Sequence, residues 1–478
     1  MREKYYLDND WYFSEKWEAA QSDTEYDEAA MQSVRIPHTV KELPFHYFDE
    51  HAYQMVSGYR RHLFAKKEWE GKVVRLTFEG VAHDSEVYVN GAKAGVHHCG
   101  YTAFTIDISA LLHYGEDNII AVRVDSNENL NVPPFGFVID YMTYGGIYRD
   151  VYLEINEENY LADVFLKLQV ELETKRGTLL SEITLAGGKD NLLLRQYIRR
   201  KGEEEYQLIG EEPLSEIPAQ EGKKTLTFPA GVVSVWDVEN PALYEVKTQL
   251  VTGNNIIDEV ITTVGFRQAV FQKDGFYLNG RKLRIRGLNR HQSYPYVGYA
   301  MPASIQRMDA EVLKKELGLN AVRTSHYPQS QEFINSCDEL GLMVFTEIPG
   351  WQHIGDEAWK TQAVENVKEM VTQYRNHPSI ILWGVRINES QDDDEFYRRT
   401  NAIAHKLDDT RQTGGVRAHK KSSLLEDVYT YNDFVHNGLN KGCEHKKNVT
   451  SDMEKPYLIT EYNGHMYSTK AFDWEEHR

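Results

Sequence analysis

The sequence has 478 residues, 41% of them hydrophobic and 12% aromatic, which is enough for about two to four packed domains. Its formal net charge of −20 argues against nucleic acid as a partner, because an acidic surface repels phosphate. No apolar run approaches the ~20 residues that span a bilayer, and the charged first residues are unlike a secretory signal, so we expect a cytoplasmic protein without a membrane partner. The three cysteines fit a reducing compartment and show no metal-ligand spacing.

Residues 1–155 alternate apolar and polar side chains in short runs, which is the pattern of half-buried β-strands. The runs are VVRLTFEGV, SEVYVNGAKAG, TAFTIDIS, NIIAVRVDS and YRDVYLEI. Asn90-Gly91 in the second run is a strong hairpin turn, since both residues adopt positive φ readily. Short strands with turn signals and no helical stretch predict a jelly-roll β-sandwich.

Residues 156–267 continue with strand-like runs that contain fewer aromatic residues. The clearest are ADVFLKLQVELET, TLLSEITLA, LLLRQYIRR, KKTLTFPA and YEVKTQLVT. A segment of this length and pattern predicts an immunoglobulin-like β-sandwich. It contains no cluster of titratable residues that would suggest a site, so we interpret it as a spacer.

In residues 268–478, strands alternate with helices, which is typical of βα units around a parallel sheet. The strands are KLRIRGLN, AVRTSH, MVFTEIP, IILWGVRIN, TGGVR, DVYTYN and YLITEYN. Helices separate the first four strands: one begins after Pro302 and ends at Gly318, one ends at Gly341, and one stops before Pro378. The pattern predicts a TIM barrel, but it supplies seven strands where eight are required, so we expect the barrel to be incomplete at its C-terminal end.

The active site of a TIM barrel lies at the carboxyl ends of its strands. In this chain the strand ends carry Asn289, Arg290 and His291, then Arg323 and His326, Glu347, Asn388 and Glu389, Tyr429, Tyr431 and Asn432, and Glu461. So many acids, histidines and tyrosines along one edge of a barrel predict a polar pocket.

Two carboxylates at one edge are what the cleavage of a glycosidic bond requires. One protonates the leaving oxygen, and the other attacks the anomeric carbon or activates water. Glu389 and Glu461, at the ends of the fourth and seventh strands, are the candidates. A single glutamate after a strand is more often a helix cap or a surface residue, so this prediction depends on the joint pattern.

The chain resembles glycoside hydrolase family 2, the group of β-galactosidases, β-glucuronidases and β-mannosidases. The resemblance covers nearly the whole chain and is carried by VYVNGAKAGVHHCGYTAFTIDIS, GGIYRDVYL, ENPALYEV, VGFR, FYLNGRKLRIRGLNRHQSYPYVG, NHPSIILWGVRINES and PYLITEYNGH. It implies an N-terminal sugar-binding domain, an immunoglobulin-like domain and a catalytic barrel.

The resemblance also implies roles for individual residues. Glu389 corresponds to the general acid/base and Glu461 to the nucleophile, with Tyr431 as the tyrosine partner of the nucleophile. The implied substrate-binding residues are Asp140, His291, His326, His465, and Asn388 for the 2-hydroxyl. The magnesium site of some galactosidases would use Glu347 and Glu389, but FTEIPGW lacks the histidine that completes it. We therefore predict no certain cofactor and leave a divalent or monovalent cation open.

The implied activity is hydrolysis of terminal non-reducing β-D-galactosides with retention of configuration, through a covalent glycosyl-enzyme. Arg290, His291 and Gln292 favour a galactosidase, because β-glucuronidases commonly show a KHED-like run at this position. A β-glucuronidase stays open, and so does an inactive truncated fragment that binds sugar. The expected partner is a small-molecule β-glycoside, and association into homo-oligomers is left open. We expect a lower pKa for Glu461 than for Glu389, since the nucleophile must be ionised while the acid is protonated.

Overall fold

The computed structural model describes residues 1–44, 49–188, 191–216, 222–434 and 443–462. Within these ranges two antiparallel β-sandwiches precede a parallel sheet with helices, in the order that the sequence predicts. No helix of the described residues is both long and apolar enough to cross a membrane.

The first β-sandwich, of the predicted jelly-roll class, packs around a core that includes Trp11, Leu76 and Val122. Its strands are β1 (Glu3–Tyr6), β2 (Trp11–Ser14), β3 (Gln32–Val34), β4 (Val56–Phe64), β5 (Val73–Phe78), β6 (Val81–Ala82), β7 (Asp84–Val89), β8 (Ala92–His97), β9 (Phe104–Asp107), β10 (Asp117–Asp125), β11 (Gly146–Ile147) and β12 (Val151–Asn156). They form the sheets β1-β12-β5-β9 and β3-β2-β4-β10-β7-β8 and the pair β11-β6. Hairpin β7–β8 turns at Asn90 and Gly91, with φ of 51° and 81°, as predicted.

The second β-sandwich is immunoglobulin-like and packs around residues such as Leu179, Val246 and Phe266. Its strands are β13 (Tyr160–Val170), β14 (Arg176–Ala186), β15 (Leu193–Arg200), β16 (Gln207–Pro213), β17 (Lys223–Val232), β18 (Tyr244–Thr252) and β19 (Asn255–Val264). The three-stranded sheet β13-β14-β17 and the four-stranded sheet β16-β15-β18-β19 share this core. Seven strands in two sheets are the arrangement expected of such a domain.

A small antiparallel sheet precedes the barrel, and it takes part of the predicted first barrel strand. The strands of this region are β20 (Ala269–Gln272), β21 (Gly275–Leu278) and β22 (Arg281–Leu283), followed by the parallel strands β23 (Gly287–Arg290), β24 (Ala321–Thr324), β25 (Met343–Glu347), β26 (Ile380–Gly384), β27 (Gln412–Arg417), β28 (Val428–Asp433) and β29 (Tyr457–Tyr462). Within KLRIRGLN, Lys282 and Leu283 pair with β21, and only Gly287 onward joins the parallel sheet.

The three predicted helices are present, and two further ones were not predicted. The helices are α1 (Ala303–Glu311), extended by a π-helical turn (Val312–Glu316), α2 (Gln331–Leu340), α3 (Glu357–Tyr374), α4 (Asp394–Leu407) and the short α5 (Lys446–Val449). In the part of the chain that the structure describes, six 3₁₀ turns lie at Ala19–Ser22, Glu28–Ala30, Glu50–Tyr53, Lys67–Trp69, Ser109–Leu111 and Leu214–Glu216. Helix α2 begins where the Ser330 side chain accepts the N–H of Glu332, and ends at Gly341 with φ of 71°.

The parallel sheet contains seven strands that follow one another from β23 to β29 in chain order. Within the described residues β23 and β29 each have a single neighbour, so the TIM barrel is one strand short of closure. Because all seven strands are parallel, their carboxyl ends meet at the same edge of the barrel, and the polar residues predicted there come together.

Candidate active site

Asn432 connects the two glutamates that the sequence proposes for catalysis. Its Nδ2 donates to Glu389 Oε1 at 2.9 Å and also to Glu461 Oε2. Thr460 Oγ1 donates to Asn432 Oδ1 at 2.9 Å, which fixes the amide with its nitrogen toward the glutamates. Since one nitrogen contacts an oxygen of each carboxylate, these oxygens lie less than about 6 Å apart, twice a hydrogen-bond length. This upper limit is compatible with the carboxyl separation of about 5–5.5 Å in retaining glycosidases.

Arg323, in strand β24, connects three other residues of the site. Its Nε and Nη2 donate to the two oxygens of Glu347 at 3.0 and 2.8 Å, and Nη2 also donates to Asn388 Oδ1 at 2.7 Å. Its Nη1 lies 3.5 Å from Glu461 Oε2. The side chains of Arg323 and Glu347 are only 4% and 1% exposed, so water screens this ion pair little. Arg323 therefore holds a positive charge directly beside the proposed nucleophile.

Burial dominates the electrostatics of two carboxylates of the site, Glu347 and Glu461. It raises the pKa of Glu347 to about 7, against the opposing effect of Arg323. It also raises the pKa of Glu461, with Glu389 and Glu347 adding to the rise and Arg323 opposing it. At Glu461 the loss of hydration thus outweighs the neighbouring guanidinium. The expected order, with a lower pKa for Glu461 than for Glu389, stays a prediction.

His326 contacts the same ion pair from the end of β24. Its Nδ1 lies 2.7 Å from Glu347 Oε1, and burial together with Arg323 lowers its pKa well below the usual value. The ring is therefore neutral at neutral pH, and Arg323 Nη2 lies 3.1 Å from the same Nδ1. A neutral ring with one donor and one acceptor nitrogen suits a sugar hydroxyl, the role that the resemblance implies.

Asn388 and Glu389 lie in the turn that follows β26. Glu389 has a φ of 55°, an uncommon value for a residue with a side chain, and Gln352 Nε2 donates to its Oε2 at 3.2 Å. Asn388 is buried, and its Nδ2 has no hydrogen-bond partner among the described residues. A buried amide that lacks a partner beside two carboxylates is a donor available for substrate, so the role predicted for Asn388 has a physical basis.

The loop between β10 and β11 brings the first β-sandwich to the mouth of the barrel, as the sequence predicts. Its Tyr141 ring lies 4.9 Å from the ring of His291 and 5.9 Å from that of His326. Asp140 precedes Tyr141 and is half-buried, and its charge contributes to the raised pKa of Tyr141. Both predicted histidines thus lie against this loop. A direct contact of Asp140 with substrate stays a prediction.

Tyr431 lies in a different place from the one its predicted role requires. Within the described residues no hydrogen bond joins it to Glu461, and it packs with Tyr429 and Val449 instead. Side chains alternate along a strand, so when Asn432 faces the glutamates its neighbour faces away. The residue that contacts the nucleophile is therefore Asn432. The last predicted site residue, His465, lies outside the described residues.

Asn432, Arg323 and Glu347 are polar strand ends in the sequence, but the predicted catalytic and substrate-binding residues do not include them. Their position at carboxyl ends of barrel strands was the available signal, and it did not distinguish inward from outward side chains. Glu347 was considered only as a cation ligand, and it pairs with Arg323 instead. One group with ligand-like spacing, Asp49, Glu50 and His51, occurs among the described residues, in a 3₁₀ turn of the first sandwich.

Sequence comparisons agree with this architecture. The family profiles "Glycosyl hydrolases family 2, sugar binding domain", "Glycosyl hydrolases family 2" and "Glycosyl hydrolases family 2, TIM barrel domain" match residues 7–156, 159–267 and 270–473. Two β-sandwiches before a barrel with paired glutamates at its mouth are the architecture of a glycoside hydrolase. The chain belongs to glycosyl hydrolase family 2.

The relatives of this chain include proteins named β-galactosidase and proteins named β-glucuronidase. A β-galactosidase from Thermoanaerobacterium thermosulfurigenes is 49% identical, and the matched region covers 100% of this chain and 67% of that protein. A putative β-glucuronidase from Formosa agariphila is 33% identical over 84% of this chain and 50% of its own length. The solved structure of Bacteroides uniformis β-glucuronidase 2, covalently bound to cyclophellitol-6-carboxylate aziridine, has a TM-score of 0.79 and 26% identity to this chain. The matched region covers 91% of this chain and 55% of that structure's chain. The chain thus spans between half and two thirds of the length of these proteins.

Proposed function

We propose that this chain carries the active site of a retaining exo-β-glycosidase that acts on terminal non-reducing β-D-galactosides. The observation that carries the proposal is the bridge from Asn432 to Glu389 and Glu461. It holds an acid and a nucleophile near enough for double displacement. The 49% identity to a β-galactosidase supports galactose as the sugar.

In this proposal Glu461 attacks the anomeric carbon while Glu389 protonates the leaving oxygen. A covalent glycosyl-enzyme results, and Glu389 then removes a proton from the water that hydrolyses it. Arg323, 3.5 Å from Glu461, stabilises the carboxylate before attack and after release. Asn388 Nδ2 binds the 2-hydroxyl, and the neutral His326 accepts from another hydroxyl.

A β-glucuronidase is the second candidate, because one relative and the similar solved structure carry that name. In the structure, Arg290 and Gln292 give less reason to exclude a β-glucuronidase than they do in the sequence. Arg290 pairs with Asp309 at 2.6 Å, and Gln292 Oε1 accepts from Arg149 at 3.2 Å, so both are buried structural residues. Arg323, a cation beside the glutamates, is already paired with Glu347, so among the described residues it is not free to bind a C6 carboxylate. The comparison of galactoside with glucuronide therefore falls to experiment.

The test compares the activity of the purified chain on nitrophenyl β-D-galactoside with its activity on the matched nitrophenyl β-D-glucuronide. We expect the higher kcat/KM on the galactoside, with the β-anomer as the first product in an NMR time course. A 2-deoxy-2-fluoro-galactosyl donor should add one sugar to the peptide with Glu461, and Glu461→Gln should abolish that label. Faster cleavage of the glucuronide would identify glucuronic acid, not galactose, as the sugar. An α-anomer as the first product would exclude retention. Binding without turnover would support an inactive fragment that binds sugar.

A further inference from the structure

A cavity of about 230 Å³ lies between the second β-sandwich and the amino end of the barrel. Its wall is formed by strand β13, by the segment that leads from β19 into β20, and by the loops that precede β26 and β27. Glu389 and Glu461 are at the carboxyl ends of the parallel strands, which is the opposite end of the barrel. The cavity is therefore separate from the proposed active site.

Every charged residue in the wall of this cavity is a cation. The four are Lys167, Arg267, Arg375 and Arg411. Three of them pair with carboxylates that do not line the cavity: Lys167 with Glu182 and Asp409, Arg375 with Asp163, and Arg411 with Asp408. Arg267 has no such ion pair among the described residues, so its charge is the one that the protein leaves without a partner.

Arg267 uses only part of its guanidinium for the fold. Its Nε and Nη2 donate to the backbone carbonyls of Pro378 and Ile380, which are neutral, and its Nη1 makes no hydrogen bond in the part of the chain that the structure describes. Burial lowers the pKa of Arg267 to about 9, and the charge of Arg411 adds to the fall. The group is still charged at neutral pH, and a cation in this environment favours an anion beside it.

Arg375 adds a second unsatisfied donor to the same wall. Its side chain is only 2% exposed, and its Nε is buried without a hydrogen-bond partner among the described residues. A buried N–H that lacks a partner costs free energy, because it has lost its hydration without replacement. An anion in the cavity would offset that cost.

The free edge of strand β13 contributes backbone groups to the wall. β13 is an outer strand of its sheet, so alternate residues direct their N–H and C=O away from β14. Asn376 Oδ1 accepts from Leu166 N at 2.9 Å, and Gln268 Nε2 donates to Val170 O at 2.8 Å. Leu168 lies between these two and lines the cavity, and in the described structure its N–H and C=O have no partner outside the sheet. One residue thus presents a donor and an acceptor.

We propose that this cavity binds a phosphate group. The Arg267 guanidinium supplies the positive charge, the Leu168 N–H supplies a neutral donor, and the Leu168 carbonyl accepts the proton that monohydrogen phosphate carries. A sulfate ion has no proton to give, so the carbonyl disfavours it. A phosphomonoester, whose second pKa is about 6, has mostly lost its protons at neutral pH, so the site favours free phosphate over an ester.

Phosphate at this position would connect two parts of the fold. Leu168 belongs to the second β-sandwich, whereas Arg375 belongs to the loop before β26. An ion bound by both exists only when the sandwich is docked on the barrel. It therefore stabilises the folded chain by mass action, to an extent that depends on the phosphate concentration.

The experiment titrates the whole chain with inorganic phosphate by calorimetry, in chloride buffer of constant ionic strength. We expect one saturable site. Gln268→Glu places a carboxylate in the wall beside Arg267 and should weaken phosphate binding at least about tenfold, since like charges repel. Gln268 is exposed, so the variant should fold. Gln207→Glu is the matched control, because Gln207 is exposed on β16 of the same sandwich and the change in net charge is equal.

Thermal unfolding separates a site from a general salt effect. Phosphate and sulfate stabilise proteins by exclusion from the surface, an effect that grows steadily with concentration. Binding at a site instead gives a rise in Tm that begins at low concentration and follows the occupancy of the site. We expect this additional rise with phosphate in the unchanged chain and in Gln207→Glu, and only the steady effect in Gln268→Glu.

The outcomes distinguish the ligand as well as the site. Absence of saturable phosphate binding, or equal affinities in the two variants, overturns the site. Sulfate that binds as tightly as phosphate overturns the assignment to phosphate. Glycerol 3-phosphate that binds more tightly than phosphate would keep the site and identify an ester as its occupant. None of these measurements depends on hydrolysis, so the site and the proposed function stand or fall separately.

Discussion

The guanidinium of Arg323 and the carboxylate of Glu347 form a buried bidentate pair, with N–O distances of 3.0 and 2.8 Å. The pair joins neighbouring strands β24 and β25 and orients the guanidinium toward Asn388 and Glu461. Glu347 contacts neither proposed reacting atom, so it is a positioning residue.

Replacing Glu347 by glutamine tests this role. The change leaves a buried cation without its charged partner, and we expect the free energy of unfolding to fall by about 3 kcal/mol in urea titrations. Glu365→Gln, at an exposed glutamate that pairs with Lys368, should change it by less than about 0.5 kcal/mol. Equal stabilities for the two variants would contradict the structural importance of the Arg323–Glu347 pair.

Asn432→Ala removes the donor that both glutamates share. We expect kcat/KM on aryl galactosides to fall about 100-fold, the usual effect of one preorganised donor in an active site, with folding little changed. Steady-state kinetics and circular dichroism measure the two effects. Asn448→Ala serves as control, since Asn448 is exposed and its side chain bonds only to Glu444 among the described contacts. A variant with full activity would exclude the bridge as part of the site.

The charge of Arg323 should set the acidic limit of activity. Glu461 must be ionised to attack, so activity is lost as pH falls through its pKa, which Arg323 lowers. Arg323→Gln should move the acidic limb of the kcat/KM profile to higher pH, while Arg323→Lys should move it less, because lysine keeps the charge. If both variants shift the limb equally, geometry and not charge is the cause.

The role of Glu389 is open to a leaving-group test. Protonation of the departing oxygen matters most when that oxygen is basic. Glu389→Gln should therefore reduce kcat/KM for an alkyl galactoside by about 10²–10⁴-fold and for a dinitrophenyl galactoside much less. Glu461→Gln should abolish both reactions, because no carboxylate remains to attack. Equal losses on both substrates in the Glu389 variant would assign the acid to another residue.

Glu79 should make the stability of the protein depend on pH. Burial and the nearby Asp150 raise its pKa to about 7 from a usual 4.5. The folded state then holds a proton that the unfolded state releases, so the free energy of unfolding falls as pH rises from about 4.5 to 7. We expect Glu79→Gln to remove about 1–3 kcal/mol of this fall, measured by urea unfolding at pH 5 and pH 8. Glu68→Gln, 66% exposed, is the control and should leave the slope unchanged.

Local patterns in the sequence were enough to predict the two sandwiches and the seven parallel strands, including a hairpin at Asn90-Gly91 and the helix end at Gly341. Runs of alternating or continuous apolar residues specify strands because burial of one or both faces stabilises them. The same patterns placed Glu389 and Glu461 at strand ends. Parallel strands bring those ends to one edge whatever the details of packing, so the pairing of the glutamates followed from the fold class.

Tertiary structure alone decided which neighbours these glutamates have. A register shift between Tyr431 and Asn432 pairs Asn432 with Glu461, while Tyr431 packs with Val449, and a slip by one residue would exchange the two faces. The rise in the pKa of Glu461 likewise depends on how deeply the assembled barrel buries it, which no strand pattern reports. Phe137 lines the same cavity as Glu389, because the contact of Trp359 with the Phe135 carbonyl holds a loop of the first sandwich against the barrel, across more than 200 residues of sequence.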